Sequence, residues 1–435
     1  MDTGMRIKYN RIKKRMSLED LASNILPVRE LKKIESGLKE PSLDDLQKIC
    51  KKLEIPLATK DNPVGKVLVK NFKSSLLHPK NRAHIMEQYA DIHDHPLLSA
   101  NEEIELEYGI QQIRYCIITG DLDNAEVKIK EIERFKEFMN QEQFYLFYKY
   151  LGNYNYILGD LEQAHKTYLT ADKIVPSTIS NSELGDLYYS IGLTASQCRY
   201  INQAKKYTEM ALKIYQQEFV PRRIVECHLT IAINEKRMGN FKKSKEHFKN
   251  ALMISNKLDY DPLKFDTEYN YGYFYFQFQN FEKALTHFKN ALHYKPYEYI
   301  SDILLCYCVM LKCYIELNDL ENARKLLDKG HSIINEKNLS LSSPSNDLFK
   351  EVYTEFMSLS YLLNDEVNAF ENILNENLKP IFAAQNKHFE IGFYYTLLGN
   401  TYIKRNEPLK ASLALKESNE AFKKVITINE ELEEQ

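Results

Sequence analysis

The sequence predicts an all-α protein: a small bundle of short helices at the N-terminus, followed by a long array of repeated helical hairpins. Three observations carry this. The 435 residues contain only 14 Gly and 13 Pro, too few breakers for a chain of short strands and turns. Helix start and stop signals crowd the first sixty residues. From about residue 104 onward, small and aromatic residues recur at intervals of about 40.

At 44% hydrophobic and 27% charged residues, the composition is that of a chain able to bury a core. The net charge of -3 conceals an asymmetry: residues 1–60 carry +5 and the remainder -8. A basic head on an acidic body directs any nucleic-acid contact to the head. No apolar run has the length of a membrane span, and charge begins at once with Arg6, Lys8 and Arg11, so a reducing cytoplasm and no membrane partner are expected. The seven Cys form no CxxC pair. Cys306, Cys308 and Cys313 lie on different sides of a helix and read as buried thiols.

In the head, Ile7, Tyr9 and Ile12 mark a first helix. Ser17 is an N-cap for Leu18–Ala22, with Glu19 and Asp20 at that helix's positive end. Pro27 fits the first position of a further helix running to Glu35 and stopping at Ser36–Gly37. Pro41–Ser42 opens another, with Leu43, Leu46, Ile49, Cys50 and Leu53 at helical spacing. Two short helices around a tight turn in a bundle of this size form a helix-turn-helix, whose second helix enters the major groove. Leu31 and Ile34 then face the core, and Val28, Arg29, Lys32 and Lys33 face outward, where long donors reach base edges and phosphates.

Residues 4–57 resemble the Xre/Cro-like helix-turn-helix family, through Arg6–Ile7, Ser17–Ala22, Ile34–Gly37, Glu40–Ser42 with Leu46, and Leu53–Ile55. The expected DNA-contacting set is Arg6, Ser17, Val28, Arg29, Lys32, Lys33 and Lys39. The family usually carries Gln after the Ser of its second helix, at a DNA contact. Leu18 stands there instead and removes that polar contact.

The repeats follow. Tyr148, Leu151, Gly152, Ala164, Tyr168, Ala171 and Pro176 form the clearest unit. Others begin at Tyr188, His228 and Tyr271 (the last ending at Pro296). Weaker ones are marked by Tyr307 with Ala323, Tyr353 with Ala369 and Tyr395 with Ala411, and a degenerate first unit by Cys116, Gly120 and Ala125. Each hairpin turn has one pattern: Gly120-Asp121-Leu122, Gly159-Asp160-Leu161, Gly239-Asn240-Phe241, Gln279-Asn280-Phe281, Asn318-Asp319-Leu320. These offsets match the tetratricopeptide (TPR) pattern, with a repeat of about 40 rather than 34 residues, so a right-handed superhelical solenoid is expected. The domains are then 1–58 helix-turn-helix, 59–103 linker and connecting helices (66–77 and 81–91, after Asp61-Asn62-Pro63), and 104–435 TPR array. His84, His93 and His95 show no ligand spacing, so no metal and no cofactor are expected.

The concave face of such an array is lined by the first helix of each repeat. In this register it presents Lys149, Asn153, Tyr156, Tyr189, Gln197, Lys236, Arg237, Tyr269, Tyr273, Phe276, Gln277, Lys312, Asn400 and Lys404. Amides bond a peptide backbone as donor and acceptor, Tyr adds rigid contact area, and Lys and Arg take a carboxylate. An Xre-like head joined to a long TPR array resembles the RRNPP group of quorum-sensing regulators, with an NprR/PlcR-like layout. The resemblance implies a cytoplasmic transcription regulator that binds double-stranded DNA, senses a short signalling peptide pheromone and forms a homodimer. It also implies an alternative: a Rap-like array that binds a response regulator with phosphatase activity, for which residues 66–117 offer Gln88, Gln111 and Gln112. A bare TPR scaffold is the third reading. The chain has no GxGxxG, Walker-type GxxxxGK, HExxH or GxSxG motif, so no classical enzyme is expected.

Overall fold

A computed structural model describes residues 1–58, 62–77, 82–98, 101–294, 299–337 and 347–433. Asp61 and Pro296 lie outside the described residues. The fold is all-α, with no strand among those described. The chain divides into two compact units, Met1–Cys198 and Arg199–Gln435.

The first unit opens with four short helices, α1 (Thr3–Lys13), α2 (Leu18–Ala22), α3 (Val28–Glu35) and α4 (Leu43–Leu53). They close over Ile7, Leu21, Ala22, Leu31, Ile34, Ile49 and Leu53. Pro27 is the N-cap of α3 rather than its first residue. The two connecting helices are α5 (Pro63–Leu77) and α6 (Arg82–Ile92). With α7 (Glu102–Thr119) they enclose a second core of Val69, Phe72, Leu76, Ile85, Leu98, Ile104 and Tyr108. Helix pairs follow: α7 with α8 (Leu122–Glu133), and α9 (Gln141–Ile157) with α10 (Leu161–Asp172). α11 (Asn181–Gln197) ends the unit.

The second unit begins with α12 (Ile201–Gln217) and continues as pairs α13 (Pro221–Arg237) and α14 (Phe241–Ser255), α15 (Asp261–Gln277) and α16 (Phe281–Leu292), α17 (Ile300–Glu316) and α18 (Leu320–Glu336). In the next pair, α19 (Asp347–Leu363) faces α20 (Val367–Ile373), which runs through a wide π-type turn, Leu374–Leu378, into α21 (Lys379–Ala384). Pro380, with no N–H to give, follows that turn at once. α22 (His388–Lys404) and α23 (Pro408–Glu433) close the chain.

The 40-residue period has a plain cause. α9, α11, α13 and α15 are each 17 residues long, almost five turns, and begin at 141, 181, 221 and 261. The hairpin turns stay at three residues; the rest of the period is shared between second helix and loop, from 12 residues in α10 with eight residues before α11 to 17 residues in α12. In those turns the backbone takes the left-handed conformation at Gly120, Gly159 and Gly239, and also at Gln279 and Asn318. In most of them the next Asp or Asn caps the second helix: Asp160 accepts from the Gln163 amide at 3.1 Å and Asp319 from the Asn322 amide at 3.2 Å, whereas Asn240 donates to Glu235 instead. At Gly152 the paired helices approach closely, since a Cβ there would sit 2.6 Å from the Tyr168 ring.

Buried polar groups pair within each unit. In the first, Lys149 is 1% exposed and lies 3.0 Å from Asp186 and 3.8 Å from Glu183. In the second, Lys312 is 3% exposed and donates to Glu355 at 2.6 Å, and Tyr394 donates to the same carboxylate at 2.9 Å. His228 and His247 face each other with Nδ1 atoms 2.9 Å apart. All seven Cys are free thiols, including fully buried Cys306, Cys308 and Cys313.

Two predictions follow from these pairs. Lys312→Met strands the Glu355 charge and should lower stability by about 3–5 kcal/mol in denaturant titration, with much of that loss recovered in Lys312→Met/Glu355→Met. Burial, then His247, pushes His228 down to about 4. The unfolded chain therefore binds this proton more readily than the folded one. The contribution is complete above the unfolded value of 6.5 and is lost as pH falls toward 4. Thermal unfolding between pH 6.5 and 5, where most carboxylates stay ionised, should show a falling midpoint that His228→Gln flattens.

Candidate functional site

The reading surface of the head is set by α2 and α3. The Ser17 hydroxyl accepts from the Asp20 amide at 2.9 Å, and the Asp20 carboxylate accepts from the Ser17 amide at 3.1 Å. This capping box fixes the start of α2, so Ser17, though exposed, is committed to the cap. Leu31 and Ile34 turn α3 into the core, and Arg29 and Lys32 stand exposed on its other side. Glu30 lies between them in sequence. It accepts from Lys33 at 3.0 Å and from Lys39 at 2.8 Å, and those two bonds hold its carboxyl down at about 2. Two of the expected DNA-contacting lysines therefore share one exposed clamp.

Three head residues differ from expectation. Arg6 is buried and donates to Glu102 of α7 at 2.7 Å, because its stripe of α1 faces α7. It serves the packing of the head in this state. Val28 is half-buried against the head core, and so is Leu18, the departure from the family pattern. A leucine fits there because the position covers apolar surface.

On the first unit's repeat helices, Asn153 accepts from the Tyr168 hydroxyl at 2.7 Å, and Gln197 donates to the Tyr156 hydroxyl at 3.2 Å. Tyr189 is half-buried and Gln197 exposed. Lys149, counted among the ligand contacts from its spacing, is instead enclosed with Asp186 and Glu183.

The second unit gathers a larger group. Lys236 donates to Gln277 at 2.5 Å and lies 5.5 Å from the centre of the Tyr273 ring. Tyr273 donates to Glu390, and its ring lies near those of Tyr269 and Phe276, at 6.3 and 5.9 Å. Arg237 donates to Asn234 at 3.3 Å, and Arg199 to the Asn386 carbonyl at 2.9 Å. Lys236, Arg237 and Arg199 remain half-accessible, yet protein surrounds them closely enough to change their protonation. Burial first, then Arg237, pushes Lys236 down to about 8, and burial with Arg199 pushes Arg237 down to about 10. Glu390 acts the other way on Lys236 and Arg199. The arrangement is a polar cluster with excess positive charge and aromatic neighbours, suited to an anionic group on a ligand with apolar parts.

Phe276 is buried against Phe281 and Phe393, so it supports this cluster from behind. Lys312 is consumed by Glu355. Asn400 and Lys404 are exposed and continue the helical stripe of Phe389 and Phe393 on α22. The sequence reading missed Arg199 and Glu390. Arg199 had a visible signal: it occupies the turn position that Gly159 and Gly239 hold, 40 residues away on either side, with a left-handed backbone. Glu390 had none, because nothing in the period marks the first turn of α22.

Known proteins share both parts of this layout. Residues 7–59 match the helix-turn-helix family. The transcriptional activator NprA of Geobacillus stearothermophilus is 24% identical over 414 residues, spanning 94% of this chain and all of that protein. The apo quorum sensor NprR from B. thuringiensis superimposes with a TM-score of 0.64 at 19% identity, covering 83% of this chain and 98% of that one. NprR with its cognate peptide NprX gives 0.59, at 19% identity and 85% and 98% coverage. Apo RapI gives 0.66 at 17% identity, with 84% and 99% coverage. The chain thus joins a helix-turn-helix head to a TPR-type array, and over nearly its full length it is similar to a transcriptional activator.

Proposed function

We propose that the chain is a cytoplasmic transcription regulator whose head binds double-stranded DNA and whose array binds a short signalling peptide. In this reading residues 1–58 contact DNA, 59–103 connect, and 104–435 bind the peptide and pair two chains. The observation that carries it is the cluster of Lys236, Arg237 and Arg199 among tyrosines and amides, in which Glu390 offsets the charge of Lys236 and Arg199. A peptide carboxylate fits the charge, an extended backbone fits Gln277, and an apolar side chain fits Tyr269 and Tyr273. Asn153, Tyr156, Tyr189 and Gln197 of the first unit, and Asn400 and Lys404, are further contact candidates. NprR, whose fold is similar, takes a cognate peptide, and NprA is a transcriptional activator. Bound peptide then shifts the population of dimers able to meet two half-sites.

A Rap-like reading is supported by the fold likeness to RapI over 84% of the chain and by sequence likeness to the regulatory protein RapD of Bacillus subtilis, 19% identical over 304 residues. Incubation with phosphorylated response regulators separates the two: loss of the phosphoryl group favours that reading.

Binding to promoter fragments should fall steeply with salt, and Arg29→Ala should cost about 1–3 kcal/mol. Glu30→Gln frees Lys33 and Lys39 and should tighten binding to random-sequence fragments more than binding to promoter fragments. A salt-insensitive association, or none, removes the DNA claim. In a screen of synthetic penta- to heptapeptides by thermal shift, a peptide that binds should lose about tenfold or more in affinity when its acidic groups are amidated. The same loss should appear in Lys236→Met. No binding peptide in the screen overturns the sensing claim.

A further inference from the structure

α1 has two working faces. Gly4, Ile7 and Arg11 turn inward: Gly4 lies against the Ile34 carbonyl, Ile7 sits in the head core, and Arg11 makes a two-point contact with Glu35 at 2.6 and 2.8 Å. Arg6, Tyr9, Asn10 and Lys13 form the other stripe, at helical spacing, and meet the first turn of α7 and the segment after α8.

That contact is mostly polar. Glu102 accepts from Arg6 at 2.7 Å and from Asn10 at 2.9 Å, with both partners of the ion pair buried. Glu105 accepts from Lys13 at 2.5 Å and from the Tyr9 hydroxyl at 3.4 Å. Lys8 pairs with Glu137 and the N-terminal ammonium with Glu103. The apolar part is one ring: Tyr9, 3% exposed, sits with its centre 4.6 Å from that of Phe135 and 5.5 Å from that of Phe138. Tyr9 belongs to neither the head core nor the core of α5–α7. On one flank the contact borders a cavity of about 370 Å³ walled by Tyr9, Lys13, Glu105, Gln112 and Phe135. Two separately closed cores joined by a charged seam with an open flank make a contact that can part without unfolding either side.

We propose that this seam is a latch. It holds the head on the array's first helix in one orientation, with Arg29 and Lys32 of α3 left exposed, and its opening frees the head to reorient. The acidic side, Glu102, Glu103, Glu105 and Glu137, is supplied by the body, and the basic side by α1. Tyr9 and Arg6 are positioning residues for the head, acting through its orientation and not at the DNA.

The chain has no Trp, so a single introduced indole reports on the head alone. Leu38 is 79% exposed at the far end of α3, and Leu38→Trp places the probe there in the full chain. Its time-resolved anisotropy should decay with the tumbling of the whole body. Adding Tyr9→Ala or Glu102→Gln should introduce a faster component of head size, while far-UV helicity stays unchanged. Tyr9→Phe, which keeps the ring, should retain the slow decay. A fast component already present in the Leu38→Trp parent, or none in either latch variant, overturns the proposal. Lost helicity in Tyr9→Ala overturns the assignment of Tyr9 to the seam, and Glu102→Gln, placed on the body, then decides the latch by itself.

Discussion

The array depends on how closely two helices can approach. Ala164 and Ala171 in the first unit, and Ala204, Ala211, Ala251, Ala284, Ala291 and Ala323 in the second, are fully buried. At such positions a longer side chain would push the partner helix away. The space left by a missing side chain is filled by a ring from across the pair: Tyr168 over Gly152, and Phe288 against Gly272. Interiors pack at crystal density, so the small residue and the ring must recur together. Repetition of that steric pair every 40 residues holds the hairpins in register. It also leaves the remaining faces of the first helices free to carry function.

Those faces treat like charges in opposite ways. Lys312 and Lys236 both lie on first helices, Lys312 buried and Lys236 half-accessible with protein close around it. Lys312 has Glu355 at 2.6 Å, and its pKa rises despite burial. Lys236 has a neutral amide at 2.5 Å and further cations nearby, and its pKa falls. Removing water from a charge is costly unless an opposite charge replaces it. The first lysine is therefore a closed structural pair. The second keeps an unmet electrostatic demand that a ligand anion can satisfy. The identity of the neighbouring group, carboxylate or amide, sets the difference in their charge balance.

This contrast also explains what was legible in the sequence. Helix type, hairpin turns and core alanines were readable because each depends on residues close in the chain or repeated at fixed spacing. Ser17 with Asp20, and Gly159 with Asp160, act within four positions. The head's outward residues were partly readable: periodicity placed Leu31 inside and Arg29 outside, but not the clamp from Glu30 to Lys39, nine residues away. Lys149 and Lys312 were misread as open contacts because spacing gives the side of a helix and not the carboxylate one repeat further on. Arg6 was misread for the same reason, its partner Glu102 being 96 positions away. Across the chain, periodicity located surfaces, and long-range ion pairs decided which of their charges remained available.

The clamp on α3 bears on how such a head reads DNA. Glu30 is partly exposed and both lysines reach solvent, so its hold on Lys33 and Lys39 is screened and weak. A phosphate backbone carries far denser charge and releases counterions when cations approach it, so it can displace Glu30 from both lysines at little cost. Away from DNA the clamp lowers the positive field of the head, and with it the attraction to any polyanion. In the proposed complex with DNA, the two lysines would transfer only where phosphates lie within their reach, which the geometry of α3 in the groove would set. On that reading Arg29 and Lys32, both exposed, would meet the duplex first, and the clamped pair would add affinity at correctly seated sites. Competition among its own side chains would then let a modestly charged head discriminate between seated and unseated complexes.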